Sequence, residues 1–338
     1  MNRRLKHLAH QAAAYGAYST GATMRNLKHH PNRHIILSYH RIIDPCQDDP
    51  NLFDPEITVT ATTFLHHMQF IKSHFDVRPV AEVVEASKSP RQDFTRPLCG
   101  ITFDDGLIGV YEYALPILKK LGMTATVFVS TRAADTLQGF WTDIAYRSLA
   151  KALSAGDRKE LVTIYRAANV KKVPASYSPR EWVESMKELD PDLRVHLLKT
   201  LSKRWPQPHQ KPTVMSWEQL QELNNAGFDI GGHTINHTLL DTVSEDEKRA
   251  EIHGCRDAIF AHLGFVPKSF CYPNGRYDDQ TIEAVMAAGF DFAFTDKAGT
   301  VVASPNAWTV NRLCIGNVPY GPSFAFTCFV TGVLPRYL

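Results

Sequence analysis

Leu98-Cys99-Gly100-Ile101-Thr102-Phe103-Asp104-Asp105-Gly106 is the stretch on which the fold turns. Its first six residues are compact and mostly apolar, with β-branched and aromatic members, which predicts a buried strand ending at two carboxylates. Side chains alternate along an extended backbone, so adjacent acids can serve different partners, one a metal and the other a reacting water. Taken alone, Asp-Asp-Gly is more often a solvated turn. Its meaning depends on what the rest of the chain supplies.

Working outward, His34-Ile35-Ile36-Leu37-Ser38-Tyr39-His40 reads as an earlier strand that delivers His40 at its carboxyl end. Between the two, Thr63 is expected to cap a helix running to Phe75, and Val77 to Val80 to form a short strand. Beyond the acids, Tyr113 to Leu121 is predicted helical, stopped by Gly122, and Thr124 to Val129 alternates as a strand. Strand, helix, strand in this order predicts an α/β fold with parallel strands, outer helices and functional groups at the strands' carboxyl ends. Residues 140–212 break the rhythm with a helix-rich, charged segment and are read as an insertion on a barrel. The pattern resumes at Ser216, whose partner Gln219 completes a capping box. Strands are then expected at Phe228 to Gly232, Ser269 to Tyr272 and Ala293 to Thr295, and helices after Ser244 and over Thr281 to Ala288.

Two of these strands lead into further chemistry. His233-Thr234-Ile235-Asn236-His237 sets two imidazoles four residues apart, close enough to reach one cation. Such a pair alone is more often coincidence. With the carboxylate of Asp105 it makes a two-histidine, one-carboxylate site with open positions, suited to zinc hydrolysis and able to hold other divalent ions. Tyr272-Pro273-Asn274-Gly275 ends the other strand in a turn whose backbone N–H groups could face a developing oxyanion. An ordinary turn is the competing reading.

Composition bounds the rest. With 338 residues, 44% hydrophobic and 21% charged, the chain has the balance of a soluble globular protein, and a net charge of +2 gives no general case for nucleic acid binding. The first acid is Asp44, so residues 1–30 form a basic arm in which Leu5, Leu8, Ala9 and Ala12 recur at helical spacing. A helix on an anionic membrane surface, a plain surface helix and a transit peptide all fit. The apolar run Phe324 to Leu334 is too short to span a bilayer. Six cysteines without a Cys-x-x-Cys pair suit a reducing compartment. No clear signal peptide is visible, so the expected location is cytoplasmic or peripheral at a membrane.

Taken together, TFDDG at 102–106, HTINH at 233–237 and YPNG at 272–275 resemble the polysaccharide deacetylases that share the nodulation-protein-B homology domain. The resemblance implies a distorted (β/α) barrel over residues 31–338 and removal of acetyl groups from N-acetylated sugars in a polysaccharide or lipid-linked glycan. It implies a divalent metal, with zinc the first choice, held by Asp105, His233 and His237. Asp104 would be the general base, and the backbone N–H of Asn274 would help hold the oxyanion, with Tyr272 beside it.

The chain also departs from that pattern. Many members supply a late histidine as proton donor, whereas no histidine follows His262. Ser38-Tyr39-His40-Arg41 is similar to the arrangement in biofilm-type poly-N-acetylglucosamine deacetylases, which makes His40 the expected general acid, facing the cavity opposite Asp104. The usual arginine two residues before the proline is Cys271, and the usual tyrosine after it is Asn274. Arg276 or Arg312 is expected to supply the missing guanidinium. Two alternatives share the fold: a hydrolase of a non-sugar amide, and a catalytically silent glycan-binding domain.

Overall fold

The computed structural model describes residues 12–88, 94–206, 212–304, 306–316 and 323–333. Its strands are β1 (Ile35–Tyr39), β2 (Arg41–Ile43), β3 (Thr58–Thr60), β4 (Asp76–Val77), β5 (Leu98–Phe103), β6 (Thr126–Val129), β7 (Asp229–Gly232), β8 (Ser269–Cys271), β9 (Phe292–Ala298) and β10 (Val310–Cys314). Neighbours run in the order β1, β10, β9, β8, β7, β6, β5, and β1 also pairs with β5, so seven parallel strands close into a barrel. Short β4 pairs with the start of β5, while β2 and β3 form a separate two-stranded sheet. The fold is the (β/α) barrel that the sequence predicts.

Alternation decides which residues face which way. On β5, Cys99, Ile101 and Phe103 join Leu37, Tyr39, Val127 and Ile230 in a core packed on the outer helices through Phe64, Met68, Leu118 and Ile259. Residues of the opposite parity, including Ile36, Leu98, Phe128, Cys271, Phe294 and Val310, form a second cluster. Its members come from six barrel strands, which places it inside the barrel. Gly100 is needed there, since a Cβ would stand 2.9 Å from the Val80 side chain.

The helices start and stop as local chemistry dictates. Ser216 and Gln219 form the reciprocal capping box, and Ser244 accepts from the Glu247 N–H. The cap of helix Ala61–His74 is Thr60 and not Thr63, because the Thr60 hydroxyl accepts the Thr63 N–H. The expected strand at Val77 to Val80 stops at Val77, and Val80 instead opens the helix Val80–Lys88. β10 was not anticipated, since Asn311 and Arg312 interrupt the apolar run that marks a buried strand.

Two compact units can be separated, the barrel and a second unit of residues 45–55 and 138–213. The second contains helices Trp141–Ser154, Arg158–Ala167, Pro179–Lys187 and Pro191–Arg204 around Leu149, Leu161, Trp182 and Met186. Asp190 caps the last of these helices with Pro191 as its first residue, which separates it from helix Pro179–Lys187. Arg180 pairs with Asp54, and the Arg147 guanidinium lies 5.1 Å from the Phe53 ring centre, so the 45–55 loop belongs to this unit. Of the basic arm, Leu5, Leu8 and Ala9 lie outside the described residues; Ala12 is helical, as are the residues that follow it to 19.

Candidate metal centre

The site is assembled by strand register. Tyr39 is paired with Phe103, and the Asp104 N–H donates to the Tyr39 carbonyl at 3.0 Å, so His40 and Asp104 leave adjacent strands side by side. Asp104 keeps the inward parity of Thr102. Asp105 does not continue the strand: its φ of 74° turns the chain and points its carboxylate elsewhere. Thr234, His237 and Asn274 also have positive φ, which places left-handed non-glycine residues in all three motifs. Such backbone costs roughly 1–3 kcal/mol per residue and persists where the surroundings enforce it.

For the loop 233–237 the enforcement is visible. Both carboxylate oxygens of buried Glu251 are engaged, Oε2 accepting from the Ile235 and Asn236 N–H groups at 2.8 and 2.9 Å and Oε1 from Asn236 Nδ2 at 2.7 Å. Ser130 Oγ donates to the His233 carbonyl at 2.8 Å, and the Thr131 and Arg132 N–H groups donate to the carbonyls of Thr234 and Ile235. The sequence reading missed Glu251. A signal existed, because Glu251 sits among Ile252, Cys255 and Ile259 on the buried stripe of helix Glu245–Leu263, where an acid needs partners.

The loop brings both imidazoles to Asp105. Oδ1 of Asp105 is 3.4 Å from His233 Nε2 and 3.2 Å from His237 Nε2, and the three ligand atoms lie within 4.8 Å of one another. His233 Nδ1 is 2.7 Å from the Cys271 carbonyl, which can only accept, so Nδ1 carries a proton and in the neutral ring Nε2 is left as the electron-pair donor toward Asp105. Asp105 Oδ1 is buried with no aligned hydrogen-bond donor. Electron-rich atoms gathered this way fit a divalent cation of the zinc class.

Charge in the site is strongly perturbed. Burial opposes ionisation of Asp105, yet the imidazoles of His233 and His237 hold its carboxyl well below the ordinary value. Burial also disfavours the charged form of His233, but Asp105 and Asp104 raise its proton affinity overall. For Asp104 burial is outweighed by the charge and hydrogen bonds of Arg312, then by His40 and His233, and its pKa falls to about 2.

Arg312 is the guanidinium that the third motif lacks. Its Nη1 and Nη2 donate to Oδ1 and Oδ2 of Asp104, each at 2.7 Å. Further bonds reach Thr102 Oγ1, the Thr295 carbonyl and Asp296 Oδ1, and Nη2 lies 3.1 Å from Cys271 Sγ. The rings of Phe128 and Phe294 flank it at 5.7 and 5.8 Å. Fully buried, it touches residues of β5, β6, β8 and β9 from its place on β10. Arg276 is elsewhere: its Nε donates to Asp241 at 2.8 Å, so the reading that placed it beside Asp104 is corrected.

The remaining candidates divide. His40 Nε2 lies 3.8 Å from Asp104 Oδ2 with 18% of its side chain exposed, so it faces the site beside Asp104 and not opposite it. Tyr272 is buried and its hydroxyl donates to the Trp308 carbonyl at 2.9 Å, which commits it to the fold and removes it as a substrate contact. Asn274 is exposed at the turn, and its N–H donates to no described residue.

The family model for polysaccharide deacetylase matches residues 91–293, which contain all three motifs. This chain belongs to the polysaccharide deacetylase family. YxkH of Bacillus subtilis, named for polysaccharide deacetylation, is 20% identical over 224 residues, 66% of this chain and 53% of that protein. The poly-β-1,6-N-acetyl-D-glucosamine N-deacetylase of Staphylococcus epidermidis is 29% identical over 118 residues, 32% of this chain and 39% of that one. The chain thus matches about half or less of the length of these curated relatives. The solved structure of the Streptococcus pyogenes deacetylase PplD with acetate is 19% identical, with a TM-score of 0.57 over 85% of this chain and 94% of that one, a likeness of fold.

Proposed function

We propose that this chain is a metal-dependent hydrolase that removes the N-acetyl group from N-acetylated sugars of a surface polysaccharide or its lipid-linked precursor. The observation that carries the reading is the convergence of Asp105, His233 and His237 beside an ionised Asp104. These three would hold the ion, with zinc the first choice for two imidazoles and a carboxylate. A divalent cation there supplies a more acidic water and a polarised acyl oxygen.

The chain's own residues account for the proton movements. Asp104 stays ionised at neutral pH under the charge of Arg312, so its base form is always present to take a proton from the attacking water. Arg312 makes that proton transfer less favourable while fixing the carboxylate in place. His40 is the reachable acid beside Asp104 and gives a proton to the departing amine. The Asn274 N–H supports the oxyanion from the turn after β8. The S. epidermidis relative's substrate makes poly-N-acetylglucosamine the first glycan to test. Membrane presentation would suit the basic segment around Arg25 and Lys28; among the described residues no helix is long and apolar enough to cross a membrane.

The test is acetate release from a panel of N-acetylglucosamine oligomers by wild type and Asp104→Asn. The reading expects turnover by wild type and loss of about 10²-fold or more in the variant with substrate binding kept. Hydrolysis of a non-sugar amide with none of any acetamido sugar would replace the substrate. Glycan binding without turnover of any amide would make the chain a binding module.

A further inference from the structure

We propose that a second site, a surface cavity beside Arg33, binds a phosphate group. The cavity has a volume of about 520 Å³ and is lined by Asn26, His29, His30, Asn32, Arg33 and Gly332 among others, with no acid in its wall. Arg33 Nε is buried without an acceptor, and among the described residues the guanidinium forms no ion pair. Burial, offset by no carboxylate, lowers its pKa. Arg33 is half-buried, and a guanidinium whose buried Nε has neither acceptor nor counter-charge costs stability that a bound anion returns, while its planar fork matches phosphate oxygens.

The surroundings are built around that side chain. Gly332, at φ +75°, lies against the guanidinium, and a Cβ there would collide with its Cζ and Nη2. Asn26 Nδ2 donates to the Thr331 carbonyl at 2.7 Å, which ties this turn to helix Ala22–His29. Arg25 and Lys28 of that helix are exposed and add positive charge, as no acid precedes Asp44. On the preceding helix, Tyr15 and Tyr18 are 62% and 49% exposed, side chains that suit a lipid–water boundary. The phosphate can therefore come from an anionic lipid headgroup or from a soluble phosphate compound.

Neither source depends on the deacetylase reading. Binding of inorganic phosphate is measured by calorimetry, and binding to phosphatidylglycerol and phosphatidylcholine vesicles by co-sedimentation, for the full chain. Two variants are compared with wild type. Arg33→Gln removes the charge, and Asn32→Asp, at an exposed position, sets a competing carboxylate beside an intact Arg33. Both variants should weaken phosphate binding at least about tenfold, the worth of one charge-assisted contact, and leave acetate release from soluble oligomers unchanged. A matching loss on phosphatidylglycerol vesicles, with no binding to phosphatidylcholine, identifies the lipid headgroup; loss with phosphate alone identifies a soluble compound. The proposal is overturned if wild type binds neither, or if both variants bind as wild type does.

Discussion

Arg312 on β10 holds both carboxylate oxygens of Asp104, at the end of β5, with two parallel bonds of 2.7 Å. The two residues are 208 positions apart and meet because β1 pairs with both strands, one on each edge. The pair is sealed in the barrel, where its attraction is little screened and where either partner alone would be a buried charge.

Replacing Arg312 by Met should therefore cost about 3–5 kcal/mol, the usual result of leaving one member of a buried pair. Arg312→Lys should lose less stability but keep only part of the activity, since an ammonium cannot make both bonds. Urea unfolding midpoints of the three proteins check the order. Equal midpoints for wild type and the Met variant would show that the pair is not buried as described.

The same pair sets an acid limit. The folded pKa of Asp104, about 2, is below its ordinary value of 3.8, so its pairing stabilises the fold above pH 4 and that contribution disappears as pH falls through 2. The contribution is of order 2 kcal/mol. Metal-free wild type should lose stability between pH 5 and pH 2.5 more steeply than Asp104→Asn, as read by urea unfolding. Parallel curves would contradict the assignment.

Glu251 accepts three hydrogen bonds from Ile235 and Asn236, in the loop that carries His233 and His237. Glu251→Ala should weaken zinc binding by about 10–100-fold, the range for residues that orient metal ligands. A zinc titration with a chromophoric competitor gives the ratio. Unchanged affinity would mean that the loop holds its shape without this acid.

His40 has a role that can be separated from the rest. Amine departure needs a proton, whereas an activated phenolate leaves without one. His40→Ala should lower amide turnover by about 10²–10⁴-fold and affect hydrolysis of an activated aryl acetate far less. Equal losses on both substrates would make His40 a structural partner of Asp104.

How much of this was legible in the sequence follows from the range of each cause. Strands ending at Asp104 and His233, and the caps at Ser216 and Ser244, rest on local patterns of a few residues and were read correctly. The convergence of Asp105, His233 and His237 was legible because two of the three lie within one five-residue loop. Arg312 stood only as one of two candidates. Its choice over Arg276 depends on β10, and Asn311 and Arg312 disguise that strand because they interrupt the apolar run, Arg312 being the inward-facing partner of buried Asp104. The cap at Thr60 and the partner of Tyr272 likewise depend on distances that spacing does not encode. His40 was placed on the correct strand end but on the wrong side of the cavity, since the β1–β5 register that sets it beside Asp104 is a tertiary fact.

The most direct measurement is acetate release from an N-acetylglucosamine oligomer by protein stripped of metal and then titrated with zinc. Activity should be absent in the stripped protein and rise to a plateau at one zinc per chain, with Asp105→Ala and His237→Ala failing to recover. Full activity in the stripped protein, or recovery of either variant at one equivalent, would contradict a metal centre built from Asp105, His233 and His237.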